Sequence, residues 1–310
     1  MTTPPSLDRG AFVISIDTEL AWGEAHKRNG SLAGHHFERE REVIDRILSV
    51  FTRYEIPGTW AVVGHLFLDG CAGHPDLVGP SYDWLPGSWL DIDPRSSVDE
   101  APYYYGADIV GRLTSCAVAQ EVGSHSFSHV IVDDPGCGAE VFASELAMAR
   151  AVAEPAGVEL RSFVYPRNAI AHLGTLAEAG FTSYRGRPAT ASLGRAGAVL
   201  DRLRPGAASA VRPVRDESGL WNIPQTYLFA PATARRRVPP ALWARRPISR
   251  LRQAARERSL FHLWFHPYNV TASPDRSLAA LERICAAAAR LRDAGRLDTV
   301  TMSQLADRLS

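Results

Sequence analysis

The sequence has almost no lysine: Lys27 is the only one among its 310 residues, and arginine supplies the rest of the positive charge. Positive and negative side chains balance at a formal net charge of zero. The basic surface that is typical of nucleic-acid-binding proteins is therefore not expected, and nucleic acid is excluded as a main partner.

Long hydrophobic runs are also missing. No stretch of about 18 apolar residues occurs, which excludes a membrane-spanning helix. The first apolar segment, residues 11–16, is too short for a secretion signal and leads into acidic residues. We expect a soluble, cytoplasmic protein that makes no membrane contact, and a homo-oligomer is compatible with the composition.

Cysteine is scarce and its spacing carries no CxxC motif. We interpret the four cysteines as incidental reduced thiols, because a disulfide framework needs a denser pattern. They are Cys71, Cys116, Cys137 and Cys285. A glycine-rich nucleotide-binding fingerprint is missing after every predicted strand, which argues against a Rossmann fold.

Short β-branched and aromatic runs alternate with alanine-rich helical patterns along the whole chain, and apolar residues make up 45% of it. This alternation predicts a parallel sheet with helical crossovers. The predicted strands are residues 11–16, 58–63, a segment ending at 122, 162–165, 182–184, one segment within 219–229, 260–265 and 299–301. The predicted helices are about residues 37–54, 107–117, 138–154, 173–179 and 278–294, with a further helix inside the basic segment 235–258. We predict an α/β fold, a distorted (β/α) barrel of about seven strands, forming a single domain over residues 1–310.

A long insertion rich in proline, glycine and aromatic residues follows the second strand, at about residues 65–105. Long irregular segments in compact domains are often functional. Its aromatic side chains would stack on a sugar or a hydrophobic substrate, or else form a packed lid or a subunit contact. They are Tyr82, Trp84, Trp89, Tyr103, Tyr104 and Tyr105. The loop after the first strand, with Trp22, His26, His35 and His36, is expected to border the same pocket.

Chemically reactive residues follow four of the predicted strands: Asp17 and Glu19, His125 and His129, the segment 165–168, and His266. In a parallel barrel the carboxyl ends of the strands form the catalytic face. Two histidines and a carboxylate form a metal-ligand set that leaves coordination positions open for water and substrate. The four-residue spacing of the histidines is weak evidence alone, since such pairs also cap or pack. A less favoured alternative is that Asp17 or Glu19 simply forms an ion pair with an arginine.

Five segments, in order along the chain, resemble the motifs of the polysaccharide deacetylase family, carbohydrate esterase family 4. They are Phe-Val-Ile-Ser-Ile-Asp-Thr-Glu at 12–19, Gly-Thr-Trp-Ala-Val-Val-Gly at 58–64, Gly-Ser-His-Ser-Phe-Ser-His-Val at 123–130, Ser-Phe-Val-Tyr-Pro-Arg-Asn at 162–168 and Leu-Trp-Phe-His at 263–266. The resemblance implies a metal-dependent amide hydrolase. The metal would be zinc, with iron, cobalt or manganese as alternatives.

The resemblance also assigns roles to residues. Asp17 would be the catalytic base, and Glu19 would bind the metal with His125 and His129. The family usually has two adjacent aspartates, whereas Thr18 occupies the second position here. The swapped assignment, with Asp17 on the metal and Glu19 as base or supporting group, therefore stays open.

His266 would be the general acid, and we interpret His262 as structural. The family usually carries an arginine two residues before the proline of its third motif, where this chain has Val164. We expect Arg167 either to orient the base or to contact substrate. The backbone N–H of Tyr165 is a candidate oxyanion donor, and we expect Trp22 and Asn168 near the substrate.

The function that these features predict is removal of an acetyl group from an N-acetylated amino sugar or a sugar-containing biosynthetic intermediate. The partner would be a small-molecule or sugar substrate. Two alternatives remain: hydrolysis of a non-sugar amide, formamide or ureide, with or without metal, and a non-catalytic barrel that binds carbohydrate.

Overall fold

The computed structural model describes residues 7–24, 37–187, 210–230 and 238–310. Three histidines that were predicted to border the pocket, His26, His35 and His36, lie outside the described residues, as does the start of the basic segment 235–258.

The described residues contain ten strands and eight α-helices. The strands are β1 (Gly10–Thr18), β2 (Thr59–Val62), β3 (Glu121–Ser124), β4 (Ser162–Val164), β5 (Ser183–Arg185), β6 (Val214–Arg215), β7 (Trp221–Asn222), β8 (Tyr227–Leu228), β9 (Leu260–Phe265) and β10 (Leu297–Thr299). The helices are α1 (Phe37–Tyr54), α2 (Ala107–Thr114), α3 (Ala139–Ala153), α4 (Leu173–Glu178), α5 (Pro240–Glu257), α6 (Tyr268–Thr271), α7 (Pro274–Asp293) and α8 (Met302–Leu309).

All ten strands belong to one curled sheet, in the spatial order β6-β7-β5-β4-β3-β2-β1-β9-β8, with β10 paired to the start of β1. Every pairing is parallel except that of β6 with β7. Within the described ranges the two edge strands, β6 and β8, do not pair, so the barrel stays open there. The predicted distorted (β/α) barrel is confirmed.

The central strand β1 separates two apolar layers. All nine of its residues are buried, as expected for a parallel strand covered on both faces. Because side chains alternate along a strand, Phe12 and Ile14 face the helices while Ala11 and Val13 face the barrel interior. Ser15 and Asp17 continue the inward-facing row towards the carboxyl end of the strand.

Helices on the outer face follow the predicted apolar periodicity. In α1, Val43, Ile44, Ile47 and Phe51 are buried along one stripe. The helix packs against α7, which in turn packs against α5. None of the helices among the described residues is long and apolar enough to cross a membrane.

The C-terminal helix α8 closes the end of the barrel where the strands begin. Its Met302 and Leu305 pack with the inward-facing Ala11, Val13 and Val164. The sequence prediction ended the chain with a strand at residues 299–301; the structure instead places the strand at Leu297–Thr299 and adds this helix. Thr301 and Gln304 form a capping box at the start of α8, which explains why the strand ends there.

The insertion between β2 and α2 packs onto the barrel through its aromatic residues. Tyr82, Trp89 and Tyr105 are buried, whereas Trp84 is exposed. Regular structure in the insertion is confined to short 3-10 helices at Gly64–Phe67 and Trp89–Ile92 and an antiparallel bridge between Gly70 and Ser97. Its buried aromatic residues therefore form a packed layer on the barrel.

Candidate functional site

The carboxyl ends of β1, β2, β3 and β9 meet in register at one edge of the barrel. The end of β1 pairs with β2 through Thr18 and Val62, and with β9 through Ile16 and Phe265. β3 joins β2 through Ser124. This register brings the residues that follow the three strands β1, β3 and β9 to one rim, as predicted.

Glu19, His125 and His129, which we call the metal triad, converge there. The Glu19 Oε2 atom lies 2.9 Å from His129 Nε2 and 3.4 Å from His125 Nε2. All three residues are buried. A side chain at Gly23 would collide with the Glu19 carboxylate, since a Cβ there would lie 2.2 Å from Oε1. Glycine at this position therefore leaves room for the Glu19 carboxylate.

The donor set of the metal triad fits a divalent transition metal. The Nδ1 atom of His125 lies 2.7 Å from the Val164 carbonyl oxygen and donates to it, so Nε2 keeps a free lone pair directed at Glu19. Burial lowers the pKa of His129 although Glu19 opposes the shift, so this imidazole is neutral at pH 7. Neutral imidazole and carboxylate are the ligand forms that such metals require.

The segment between the two histidines is a strained loop. Ser126 and His129 have positive φ angles of 59° and 62°, which non-glycine residues rarely adopt. Glu145 of α3 holds this loop: its carboxylate accepts hydrogen bonds from the backbone N–H groups of Phe127 and Ser128, each at 2.8 Å, and from the Ser128 hydroxyl at 2.6 Å. The strain is thus compensated by a buried acceptor.

Replacing Glu145 with alanine is expected to destabilise the fold strongly, because each buried donor left without an acceptor costs about 1–3 kcal/mol. Glu145→Gln should cost less, since its amide can still serve part of the loop. The free energy of unfolding, measured with urea, tests this order. The control is Glu140→Ala on the exposed side of the same helix, expected to change stability by less than about 0.5 kcal/mol. Equal effects of Glu145→Ala and Glu140→Ala would contradict the role of Glu145.

Asp17 does not join the metal triad but forms a buried ion pair with Arg185. The guanidinium Nη1 and Nη2 atoms lie 2.5 and 2.6 Å from Oδ1 and Oδ2, a bidentate arrangement. Both side chains are at least 97% buried. Burial alone would raise the pKa of the Asp17 carboxyl, but Arg185 and His266 hold it below its ordinary value. Asp17 is therefore ionised at neutral pH.

Arg185 was not among the predicted site residues. It is the last residue of β5, and its register partner on β4 is Val164, the position where the resemblance led us to look for an arginine. The guanidinium thus reaches Asp17 from the neighbouring strand. In the sequence, Arg185 directly follows the strand predicted at residues 182–184, and this position could have marked it as a site residue.

The inward-facing side chains that neighbour Asp17 on the inner face of the sheet are also polar. Arg185 Nη1 donates to the Ser15 hydroxyl at 3.0 Å, and His262 Nε2 lies 2.9 Å from the same oxygen. Burial and the nearby Arg185 lower the pKa of His262 to about 3, so the ring is neutral. The position of His262 agrees with its interpretation as a structural residue. The guanidinium also stacks over Trp264, with Cζ 4.5 Å from the ring centre.

His266 lies between the acidic groups at the mouth of the site. Its Nε2 atom is 3.6 Å from both Asp17 Oδ2 and Glu19 Oε1. Asn269 Oδ1 lies 3.2 Å from Nδ1, and the Tyr268 ring stacks on the imidazole with centres 4.4 Å apart. With 15% of its side chain exposed, His266 is the most accessible of these titratable groups.

The other predicted site residues are more dispersed. Tyr165 directly follows β4, and its side chain is buried with its hydroxyl donating to the Ala171 carbonyl at 2.9 Å. Asn168 follows in the same turn, partly buried. Arg167 is exposed, with a positive φ of 55°, and the guanidinium that pairs with Asp17 is that of Arg185. Trp22 is fully buried and packs within the core, where its indole N–H donates to the Tyr104 carbonyl.

The rim and the curled parallel sheet define a (β/α) barrel with a potential metal centre at its carboxyl edge. The fold is that of the polysaccharide deacetylases, as the sequence motifs implied. A Mycobacterium smegmatis protein assigned to this group superimposes with a TM-score of 0.62 at 17% identity, over 99% of this chain and 93% of the other. A Pseudomonas aeruginosa protein with the same assignment gives a TM-score of 0.61 at 12% identity, over 99% and 94% of the two chains. No family model matches the sequence, and neither does any curated protein.

Proposed function

We propose that this protein is a metal-dependent N-deacetylase that hydrolyses the acetamide of an amino sugar. The observation that supports this most is the convergence of three chemically distinct groups on one rim: the metal triad, the ionised Asp17 and the accessible His266. Hydrolysis of an amide needs an activated water, stabilisation of the carbonyl oxygen and a proton for the leaving nitrogen.

Glu19, His125 and His129 would hold the metal, with zinc as the first candidate and iron, cobalt or manganese as alternatives. When bound, a divalent cation polarises the amide carbonyl and makes water acidic near pH 7. Three protein ligands leave coordination positions free for the substrate.

Asp17 is assigned the role of general base, and Glu19 that of ligand. Asp17 is kept ionised by Arg185, and both of its oxygens are fixed by the bidentate pair, so it accepts a proton without moving. Glu19 has its Oε2 within 3.4 Å of both ligand histidines. This geometry supports the assignment with Asp17 as base over the swapped one.

His266 is assigned the role of general acid. Its Nε2 lies 3.6 Å from Asp17 Oδ2 at the mouth of the site, from where it would deliver a proton to the departing amine. The backbone N–H of Tyr165, at the neighbouring strand end, is the proposed donor to the developing oxyanion. We place Asn168 near the substrate on the same turn.

The proposed substrate is an N-acetylated amino sugar or a sugar-containing biosynthetic intermediate. Two proteins that share this fold are assigned to the polysaccharide deacetylases, which supports a sugar over other amides. We further propose that the substrate is soluble and that neither nucleic acid nor a membrane takes part.

Metal content and acetate release test the proposal together. We expect His125→Ala and His129→Ala to lose metal at this site and to lose acetate release from N-acetylglucosamine oligomers, whereas His172→Ala, outside the site, keeps both. Chelation should abolish the activity, and zinc or cobalt should restore it.

Two outcomes would contradict the proposal. Acetate or amine release that survives removal of all metal would favour the metal-free amidohydrolase. A protein that holds metal at His125 and His129 but hydrolyses no N-acetyl sugar, while binding one, would favour the carbohydrate-binding barrel.

A further inference from the structure

A second cluster of ligand-type side chains lies in the insertion, outside the metal triad. It comprises His65, Cys71, His74 and Asp93, which we call the insertion cluster, and one ligand atom from each lies within 4.8 Å of all the others. Cys71 Sγ is 3.5 Å from His65 Nε2 and 3.3 Å from Asp93 Oδ1. Asp93 Oδ1 is 3.4 Å from His65 Nε2, and Oδ2 is 3.6 Å from His74 Nε2.

These distances match the edges of a metal-centred tetrahedron. With zinc bonds of about 2.0–2.3 Å, neighbouring ligand atoms in a tetrahedron are separated by about 3.3–3.8 Å. The three separations among Cys71 Sγ, His65 Nε2 and Asp93 Oδ1 lie within this range and form one face of such a tetrahedron. The distance from His74 Nε2 to the other Asp93 oxygen, Oδ2, falls in the same range.

His74 gives an independent indication that the cluster can hold a cation. Its side chain is 91% buried, and within the described part of the chain its Nε2 atom has no hydrogen-bond partner. A buried polar atom without a partner is costly, and here the atom points at the Asp93 carboxylate. A cation between the two would satisfy the nitrogen and the carboxylate at once.

Surrounding groups orient the ligands as in established metal sites. His65 Nδ1 lies 3.0 Å from the Tyr104 carbonyl and donates to it, which leaves Nε2 for the cluster. The Arg95 backbone N–H donates to Asp93 Oδ1 at 3.0 Å. A backbone hydrogen bond from the Cys71 N–H to the Ser96 carbonyl, 3.0 Å long, joins the two segments that carry Cys71 and Asp93.

We propose that the insertion cluster is a structural metal site that binds Zn²⁺. A thiolate and a carboxylate balance the charge of a divalent ion, and two neutral imidazoles complete four-fold coordination. A sulfur ligand selects zinc over magnesium, calcium or manganese. Four protein ligands leave no open position, which is typical of structural and not catalytic zinc. Cys71 is therefore not the incidental thiol that the sequence indicated.

The metal would cross-link turns of the insertion that lie against the loop of the metal triad. The His65 and His74 rings pack against Phe127, with centres 5.7 and 4.7 Å apart, and Phe127 lies between His125 and His129. Metal at the insertion cluster would thus stiffen the loop that carries two ligands of the metal triad.

Elemental analysis separates the two sites, because each has its own variants. We expect about two equivalents of zinc in the wild type and about one in Cys71→Ser, in His74→Ala and in the double variant His125→Ala/His129→Ala. Cys116→Ser, at the other half-buried cysteine, is the control and should keep both. One equivalent that is lost only with His125 and His129 would overturn the second site, whereas one lost only with Cys71 and His74 would overturn the metal triad.

Cobalt substitution gives a readout in the wild-type protein, so this measurement does not depend on whether any variant folds. The metal triad has no sulfur ligand, so absorption from sulfur-to-cobalt charge transfer in the cobalt-loaded wild type must come from the insertion cluster. It should persist in His125→Ala/His129→Ala. In the same wild-type protein, chelation should expose Cys71 to a thiol reagent, detected by peptide mass mapping, while labelling of Cys116 stays constant. Cobalt-loaded protein without this absorption, or Cys71 labelling that chelation does not change, would overturn the proposal.

Discussion

Asp17→Asn is expected to reduce kcat for acetate release by a factor of about 10² to 10⁴, the usual contribution of a positioned general base. Asparagine keeps the shape of the side chain but cannot accept the proton. Because Asp17 lies outside the metal triad, the variant should retain its metal. The measurements are kcat on an N-acetylglucosamine oligomer and metal content in the same preparation.

Glu19→Gln is the matched comparison, because it removes the other carboxylate of the pair. It should lose metal affinity together with activity, since its Oε2 faces both ligand histidines. The opposite pattern, with metal lost in Asp17→Asn and kept in Glu19→Gln, would make Asp17 the metal ligand and Glu19 the base. An Asp17→Asn enzyme with unchanged kcat would show that another group accepts the proton.

Arg185→Ala is expected to destabilise the protein by about 3–5 kcal/mol, because it leaves the buried Asp17 carboxylate without its partner. The pKa of Asp17 should rise, since burial remains and the guanidinium is gone. The acidic limb of the pH–activity profile should therefore move to higher pH. In the wild type, the stability that the pair contributes is present above the pKa of Asp17 in the unfolded chain and is lost as pH falls through its lower pKa in the folded protein.

The pH profile distinguishes a positioning role from a purely structural one. Arg185→Lys keeps a positive charge but cannot form the bidentate pair, so its acidic limb should lie between those of the wild type and Arg185→Ala. Arg167→Ala is the matched control: Arg167 is exposed, so its loss should leave the limb in place and change stability by less than about 0.5 kcal/mol. If the acidic limb of the pH–activity profile moved in Arg167→Ala and not in Arg185→Ala, Arg167 would be the residue that positions Asp17.

Elements with strong local patterns could be predicted from the sequence. The helix at residues 37–54 and the strand at 260–265 match the structure end to end, because a continuous apolar stripe or run defines each of them. Placing Asp17, His125 and His266 on one rim needed only the rule that parallel strands share a carboxyl edge. The two-residue strands β6, β7 and β8 are too short to show any periodicity, so the single strand predicted within residues 219–229 corresponds to two strands, β7 and β8, and β6 was not predicted.

The parts of the site that escaped prediction depend on contacts between distant segments. Arg185 reaches Asp17 through the register of β4 and β5, which no local pattern encodes. Trp22 follows an acidic strand end, as a pocket residue would, but the insertion folds over it and buries it. The ligands of the insertion cluster come from three separate segments, at residues 65, 71–74 and 93, so their spacing matches no short motif.

The register between Val164 and Arg185 has a consequence for comparing chains of this fold. Because paired residues of neighbouring parallel strands point to the same face of the sheet, a guanidinium beside Asp17 need not come from the position that the sequence motif marks. A search for this cation should therefore measure the distance from the first-strand aspartate and not only inspect the residue type at one position of the fourth strand.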